Sequence, residues 1–405
     1  MTSNATDEDI SGDKAVGDGD AGSTATTPNI HPRLADQIRS APKVLLHDHL
    51  DGSVRPSTLL ELAEARGYEA LPTSDPGALG EWFRRGADRG SLALYLEGFR
   101  HTIALLQDAA ALERVAFEYA EDLAADGVVY AEVRFAPHFH TAGGLGLDAV
   151  LDAVMRGLRR GEEQFGMVAR VLVCALRNEP AEQSHRLSEL ATAWMGRGVC
   201  GFDLAGEESG HPAKHHLQAF HRIQRANGSI TIHAGEGFGP ESIWQALQFC
   251  GAHRIGHGTR LVEDMAIHEG RVLQLGSLAR YVLDHRIPLE LCLSSNVHTG
   301  TVPSLEEHPF PHLLRAGFRV TLNTDNRLMS GVTLTDEYLL AHRTFDLTLT
   351  ELERVTANAI NAAFHPYWDR RRILHERIEP GFEQAREEAE AAGLDPGPPL
   401  GRSEA

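Results

Sequence analysis

The sequence predicts an α/β fold, a (β/α)8 TIM barrel of parallel strands with a helical insertion between strands 1 and 2. Eight short runs of apolar or β-branched residues recur along the chain, each followed by polar residues and then by a stretch with helical periodicity. With 405 residues, the chain is long enough for such a barrel with insertions. A doubly wound open sheet stays open as an alternative, but it would usually carry a glycine-rich phosphate loop after its first strand, and histidines stand there instead.

The predicted strands alternate with helical segments, as the strands of a parallel barrel do. The helical segment before the second strand ends at Gly127, a residue type that commonly caps helices. The fifth strand is followed by the helical stretch ESIWQALQF. We predict the eight strands at residues 44–49, 128–137, 167–176, 199–206, 229–236, 254–259, 288–296 and 319–326.

The interval between Gly52 and Gly127 holds about three helices' worth of sequence and breaks this alternation. Long insertions at the carboxyl ends of barrel strands often build lids over the active site. One insertion helix carries an apolar stripe, which either packs against the barrel or partly faces a pocket. The stripe consists of Leu92, Tyr95, Leu96 and Phe99.

Composition limits the partners of this protein. A net charge of -19 argues against a nucleic-acid polymer or an anionic membrane surface, and favours a small neutral or cationic substrate. Residues 1–30 are polar and are predicted to be a disordered tail, residues 31–380 a single barrel domain, and residues 381–405 a polar tail that begins as a short acidic helix. The sequence shows no secretory signal or membrane span, and its four cysteines lack CxxC pairing, so we expect a cytoplasmic protein with reduced cysteines.

Polar side chains with metal-binding or catalytic chemistry stand at six of the predicted strand ends. In a barrel these ends share one face, and each residue alone could be an incidental polar cap. His47 and His49 lie on the same face of the first strand because side chains alternate, whereas Asp48 points to the other face. The remaining groups are DLAG (203–206), HAGE (233–236), His257, SSN (294–296) and Asp325 with Asn326.

Three histidines and one aspartate form a ligand set that suits Zn²⁺ with one position open for water. The predicted ligands are His47, His49, His233 and Asp325, which would hold one Zn²⁺ per chain. Zinc lowers the pKa of a bound water toward neutrality. Glu236 lies close enough to donate a proton to a substrate, and His257 is free either to hold or to deprotonate the attacking water.

HDHLDGS, DLAG, HAGE, GHG and NTDN occur in this order from the first strand to the eighth. The chain thereby resembles the adenosine deaminase family of the amidohydrolase superfamily, from about Pro42 to about Pro366. The combined pattern is highly specific, although GHG alone is weak. The family's zinc ligands fall by position on the four residues named above.

The resemblance also implies roles for other residues. The family's proton-donating glutamate falls on Glu236, and its water-orienting histidine falls on His257, which would act in catalysis together with Asp325. Substrate contacts fall on His49, on Asp51, which resembles the acid that binds a ribose hydroxyl, and on Gly206. The insertion stripe is similar to the family's hydrophobic gate.

Lysine is scarce, and this bears on the number of metals. Lys14, Lys43 and Lys214 are the only three lysines, and the fourth predicted strand, VCGFDLAG, contains none. Many binuclear amidohydrolases bridge two metals with a carboxylated lysine on that strand, so a single-metal site is favoured. The other zinc deaminase architecture, marked by H-x-E and P-C-x-x-C, is absent from the sequence.

One position departs from the family pattern. Many members carry a second aspartate after the metal-binding one, where this chain has Asn326. In the family, the residue at this position faces N7 of the purine. An asparagine amide can donate to N7 without the raised pKa that a carboxyl would need.

The resemblance implies zinc-dependent hydrolytic deamination of adenosine and 2′-deoxyadenosine, a reaction of purine salvage. The alternatives are deamination of adenine or aminofutalosine, for which relatives often carry glutamate in place of Asp51, and a non-catalytic barrel that binds purines or zinc. AMP is a less suitable substrate because no cationic phosphate site is evident in the loops. The sequence leaves the oligomeric state open.

Overall fold

The computed structural model describes residues 32–400. Eight parallel strands form a barrel with helices between them, which confirms the predicted TIM barrel. Two further strands, β7 (Met265–His268) and β8 (Arg271–Leu275), form a separate antiparallel hairpin. The barrel strands, in order around the ring, are β1 (Lys43–His49), β2 (Val128–Phe135), β3 (Val168–Leu176), β4 (Val199–Ala205), β5 (Ser229–Ala234), β6 (Arg254–His257), β9 (Leu289–Leu291) and β10 (Val320–Leu322).

The predicted insertion between β1 and β2 is helical, and helices also cover the outside of the barrel. Gly127 adopts a φ of 78° directly after the helix that precedes β2, as predicted for a capping glycine. The α-helices are α1 (Pro32–Ser40), α2 (Pro56–Arg66), α3 (Pro76–Ala87), α4 (Leu92–Tyr95), α5 (Phe99–Leu105), α6 (Ala109–Ala125), α7 (Leu147–Phe165), α8 (Ala181–Trp194), α9 (Leu217–Arg225), α10 (Pro240–Gln248), α11 (Ser277–Asp284), α12 (Leu293–His298), α13 (Phe310–Arg315), α14 (Arg327–Ser330), α15 (Leu334–Phe345), α16 (Leu349–Ala362), α17 (Tyr367–Ile373) and α18 (Glu379–Ala391).

The ring closes between β1 and β10 through a short seam. The backbone N–H of His49 donates to the Asp325 carbonyl at 2.8 Å, and the N–H of Asp325 donates to the His47 carbonyl at 2.9 Å. Below this pair, the side-chain oxygen of Asn323 accepts the N–H groups of Leu46 and His47 at 3.0 and 3.1 Å. The seam therefore joins the first and last strands at the same residues that were predicted to bind metal.

The inside of the barrel contains paired charges as well as apolar side chains. Arg254 of β6 donates to Glu132 of β2 at 2.6 Å, and these two strands lie on opposite sides of the ring. Arg254 also donates to Glu290 of β9 at 2.6 Å, and Arg134 of β2 donates to the same carboxylate at 2.8 Å. All four side chains are buried, so each charge is neutralised within the barrel rather than by solvent.

The seventh strand is shorter than predicted. Residues 288–296 were expected to be extended, but β9 covers only Leu289–Leu291, and Leu293–His298 forms helix α12. The Glu337 carboxylate accepts the backbone N–H groups of Leu293 and Ser294 at 3.0 and 3.3 Å, which satisfies the first turn of this helix. The eighth strand is similarly short, since β10 covers only Val320–Leu322 of the predicted residues 319–326.

The hairpin of β7 and β8 was not predicted. Its two-residue turn consists of Glu269 and Gly270, with φ angles of 47° and 75°. Positive φ at both central residues is typical of the tight turns that connect antiparallel strands. The Glu269-Gly270 pair, between two short stretches of mostly apolar residues, was therefore the sequence signal for this hairpin.

The C-terminal boundary of the barrel domain was predicted too early. Helix α18 extends to Ala391, and its side chains Phe382, Ala385 and Ala389 are buried against α1 and α16. The helix itself was predicted, but its apolar stripe among acidic residues was overlooked, so the segment beyond 380 is not simply a polar tail. The predicted N-terminal tail, residues 1–30, lies outside the described residues.

The four cysteines all fall within the described residues, and none of them forms a disulfide. None of the helices in residues 32–400 combines the length and the apolar character that crossing a lipid bilayer requires.

The packing of α18 leads to a test of stability. Phe382→Ala should lower the free energy of unfolding by about 3–5 kcal/mol, because it removes a fully buried aromatic ring. Glu387→Ala changes an exposed residue of the same helix and should stay within about 0.5 kcal/mol of the parent. Urea unfolding followed by circular dichroism measures both variants, and equal stability would show that α18 does not belong to the core.

Candidate functional site: a histidine and carboxylate cluster at the strand ends

The four residues predicted to bind metal converge at the carboxyl end of the barrel. His47 and His49 end β1, His233 lies in β5, and Asp325 follows β10. The Nε2 atoms of His49 and His233 are 3.3 Å apart, and Oδ1 of Asp325 lies 3.3 Å from His47 Nε2 and 3.4 Å from His49 Nε2. His47 Nε2 is buried yet has no hydrogen-bond partner among the described residues. Such a buried nitrogen, facing other histidine nitrogens and a carboxylate, fits a metal ion.

His257 is a fourth histidine beside this group. Side-chain atoms of His47, His233, His257 and Asp325 lie within 4.8 Å of one another, so this set could also hold an ion. Both sets contain His47, His233 and Asp325, and they differ only in whether His49 or His257 completes them.

Metal binding requires neutral imidazoles and an ionised carboxyl. His49, His233 and Asp325 meet this requirement. In contrast, the nearby carboxylates Asp325 and Glu290 raise the pKa of His47 against its burial. Burial lowers the pKa of His49 to about 3, and burial also lowers the pKa of His233. Burial opposes ionisation of Asp325, but the close approach of His47 and the charges of nearby histidines outweigh it and hold the pKa of Asp325 well below its usual value.

Outer side chains orient the three residues shared by both sets. His47 Nδ1 lies 2.9 Å from Glu290, His233 Nδ1 lies 3.1 Å from Asp203, and the Ser295 hydroxyl donates to Asp325 at 2.6 Å. A carboxylate behind a histidine fixes the ring and leaves Nε2 free to bind metal. The sequence placed Asp203 and Ser295 at strand ends without giving them roles, and it did not identify Glu290.

Arg134 connects these outer carboxylates. Its guanidinium donates to Asp203 at 2.9 Å and to Glu290 at 2.8 Å, and a third bond reaches the Leu46 carbonyl at 2.6 Å. Without this cation, the buried Asp203 carboxylate would lose its arginine partner and Glu290 would keep only one, Arg254. The sequence signal for Arg134 was its place, together with one other charged residue, among the apolar residues of strand β2.

Two residues of the cluster have strained backbones. His257 and Asp325 adopt φ angles of 61° and 60°, in the left-handed region that non-glycine residues rarely occupy. Such a conformation costs on the order of 1–3 kcal/mol and is maintained by surrounding contacts. It turns both side chains from the strand direction into the centre of the barrel mouth.

Glu236 lies on the loop after β5, and Glu208 holds that loop in place. The Glu208 carboxylate accepts the backbone N–H groups of Gly235, Glu236 and Phe238 at 2.7, 3.0 and 2.9 Å. Burial and the nearby charges of Asp325 and Glu208 raise the pKa of Glu236 well above its usual value. One oxygen of the Glu236 carboxyl has no hydrogen-bond partner, and the raised pKa favours the protonated acid, as a proton donor requires.

A cavity of about 400 Å³ opens directly above the cluster. Asp51, Gly206 and Asn326, the predicted substrate contacts, all line it, together with His49 and Glu236. Oδ1 atoms of Asp51 and Asn326 are buried without a hydrogen-bond partner. The volume and the unpaired polar atoms are those of a pocket for a small polar molecule.

The insertion forms one wall of this cavity. All four residues of the predicted stripe line it, and Tyr95 is buried there while Leu96 is 37% exposed at its mouth. Gly206 lies on the opposite side with a φ of 93°, and a Cβ there would come within 2.8 Å of the Asn178 side chain. Asn178 also lines the cavity, and the sequence did not identify it.

Comparisons with known proteins agree with this geometry. A sequence profile described as adenosine deaminase matches residues 42–380. An adenosine deaminase of Mycobacteroides abscessus is 52% identical over 350 residues, which cover 85% of this chain and 96% of that protein. Adenosine deaminase 1 of Streptomyces coelicolor is 50% identical over 358 residues, which cover 87% of this chain and 90% of that protein.

Solved structures share the fold. The adenine deaminase of Arthrobacter aurescens superposes with a TM-score of 0.76 at 26% identity, covering 85% of this chain and 99% of that one. The N6-mAMP deaminase of Arabidopsis gives a TM-score of 0.72 at 29% identity, covering 86% and 99%. From the profile match and the close relatives, this chain belongs to the adenosine deaminase family.

Proposed function

We infer that this chain is a hydrolase that deaminates adenosine and 2′-deoxyadenosine, giving inosine or 2′-deoxyinosine and ammonia. The observation that carries this inference is the position of Glu236, a carboxyl whose pKa is raised, beside a cluster of histidines and a carboxylate that could hold a metal, inside one pocket. Curated adenosine deaminases about 50% identical over most of the chain support it. The adenine deaminase is only 26% identical, so a nucleoside substrate is favoured over free adenine.

We propose one Zn²⁺ per chain, held by His47, His49, His233 and Asp325. Histidine nitrogens and one carboxylate are typical zinc ligands, and none of the described side chains lining the pocket is a lysine. His257 is left out of the set because the Asn296 amide nitrogen donates to its Nδ1 at 3.0 Å, which leaves the proton of the neutral ring on Nε2. A zinc ion held by these residues would lower the pKa of a bound water and so would supply hydroxide at neutral pH.

The protein's own residues carry the remaining steps. Glu236 donates its proton to N1 of the purine, which makes C6 electrophilic, and the nucleophilic oxygen adds to C6. His257 and Asp325 hold that oxygen in line with C6. The C6–N bond then breaks, the amino group takes the proton of the added hydroxyl and leaves as ammonia, and C6 becomes a carbonyl carbon. The proton that water released in forming hydroxide restores Glu236. Net consumption is one water per nucleoside.

Recognition of the nucleoside is proposed to use the opposite end of the pocket. Asp51 accepts from a ribose hydroxyl through its unpaired oxygen, and the backbone of Gly206 approaches the base closely because it has no side chain. Asn326 rotates its amide so that the NH2 group donates to N7. The proposal places this reaction in the cytoplasm, in keeping with four unpaired cysteines.

The metal site is tested through its outer partners. Ser295→Ala removes the hydroxyl that donates to Asp325 and should weaken metal affinity about 10–100-fold, the usual effect of losing such a partner. Ser294→Ala alters the neighbouring hydroxyl and serves as the control. Competition with a chelator, followed by elemental analysis, gives the affinity and the content. The mononuclear proposal would be rejected by two tightly bound metals in the parent protein.

The acid is tested by Glu236→Gln, which keeps the shape but removes the proton. We expect kcat to fall by at least about 10²–10⁴-fold, with zinc content unchanged. In the parent, kcat should decline as pH rises through the raised pKa of Glu236, because only the protonated carboxyl donates. Steady-state assays by ultraviolet absorbance measure both effects, and turnover within a few-fold of the parent would exclude Glu236 as the donor.

Base recognition is tested by Asn326→Ala. Leaving N7 unpaired in the buried pocket should cost about 1–3 kcal/mol, seen as a lower kcat/KM for adenosine. The loss should be much smaller for 7-deaza-adenosine, which lacks this acceptor. Asn326→Asp should depend more steeply on pH, because the acid must be protonated to donate. Equal losses for adenosine and its 7-deaza analogue would mean that Asn326 does not contact N7.

A further inference from the structure

A chain of buried hydrogen bonds leads from a backbone amide at the start of α13 to His257. The N–H of Phe310 donates to His308 Nδ1 at 3.1 Å, and His308 Nε2 lies 3.2 Å from the side-chain oxygen of Asn296. The side-chain nitrogen of Asn296 lies 3.0 Å from His257 Nδ1. All three side chains are buried, and none of these links belongs to the metal cluster itself.

The direction of this chain is fixed at its outer end. A backbone nitrogen can only donate, so His308 Nδ1 must accept, and the neutral ring then carries its hydrogen on Nε2. Burial lowers the pKa of His308 to about 3, which is consistent with a neutral ring. His308 Nε2 therefore donates to the Asn296 oxygen, and the Thr259 hydroxyl donates to the same oxygen at 2.7 Å.

The same reasoning passes inward through Asn296. Because its oxygen receives two donors, the amide must present its NH2 group to His257, and His257 Nδ1 must accept that bond. A neutral His257 then carries its proton on Nε2. This nitrogen points toward the pocket, where it lies 3.5 Å from the Glu236 carboxyl.

We propose that Asn296 and His308 are positioning residues that hold His257 with its proton on Nε2, directed at the reacting centre. This deepens the proposed function and rests on it. His257 then donates a hydrogen bond to the attacking oxygen, and it does not take up a proton from that oxygen at Nε2. Of the two roles that the sequence left open, holding the oxygen or deprotonating it, the hydrogen-bond direction selects holding.

The position of the proton can be observed without any assay of activity. In the zinc-loaded protein labelled with ¹⁵N in its histidine rings, long-range ¹H–¹⁵N spectra distinguish the two neutral forms of each ring. We expect protonated Nε2 and bare Nδ1 for both His257 and His308, with signals assigned by their loss in His257→Gln and His308→Gln. A parent His257 with its proton on Nδ1 would overturn the proposal.

Asn296→Asp reverses the innermost bond, because a carboxylate offers only acceptors to His257. The variant should show a proton on His257 Nδ1, and kcat for adenosine should fall about 10–100-fold while KM and zinc content stay within a few-fold of the parent. An unchanged proton position together with unchanged kcat would contradict the role of Asn296.

Two variants of His308 test its hydrogen bond to Asn296. They keep the proposal testable if Asn296→Asp does not fold. His308→Leu breaks the chain and should lower kcat, whereas His308→Gln can accept from Phe310 and donate to Asn296, and should restore most of that loss. Equal kcat in both variants would contradict a positioning role for His308. If the parent shows the expected proton on Nε2 but no adenosine turnover, the proposed reaction fails while the position of the proton is supported.

Discussion

The site depends on how the barrel closes. The two backbone hydrogen bonds that join β1 to β10 use His47, His49 and Asp325, the same residues whose side chains converge on one point. The pairing that closes the ring therefore also brings the donor atoms of these three side chains together. A shift of one residue in this seam would turn the side chains of β1 to the other face and would separate both histidines from the carboxylate.

Closing the ring between β1 and β10 places several charged side chains in the buried interior of the barrel. The cost of burying Glu290 and Asp203 is offset because Arg134 lies between them and Arg254 neutralises Glu290 from the other side. Glu290 and Asp203 also contact the rings of His47 and His233. The ion pairs that offset the cost of burying these carboxylates therefore also help to orient the two histidines. The strained backbones of His257 and Asp325 are held by the same surroundings.

Much of this arrangement follows from local sequence rules. Alternation of side chains along a strand predicted that His47 and His49 share a face, and the grouping of strand ends predicted that His233, Asp325 and Glu236 would lie near them. The elements that escaped prediction depend on contacts between distant residues. Helix α12 needs the carboxylate of Glu337, and the loop that carries Glu236 needs Glu208. The link from His308 to Asn296 is likewise visible only once the chain has folded.

The distance along the chain between the two sides of the seam has a consequence for biosynthesis. About 280 residues separate His49 from Asp325, which takes roughly 15 to 60 s to translate at 5–20 residues per second. Until β10 has left the ribosome, neither the ring nor the full set of donor atoms exists. A metal ion held by this full set of donor atoms would therefore bind only late, after nearly the whole polypeptide has been synthesised.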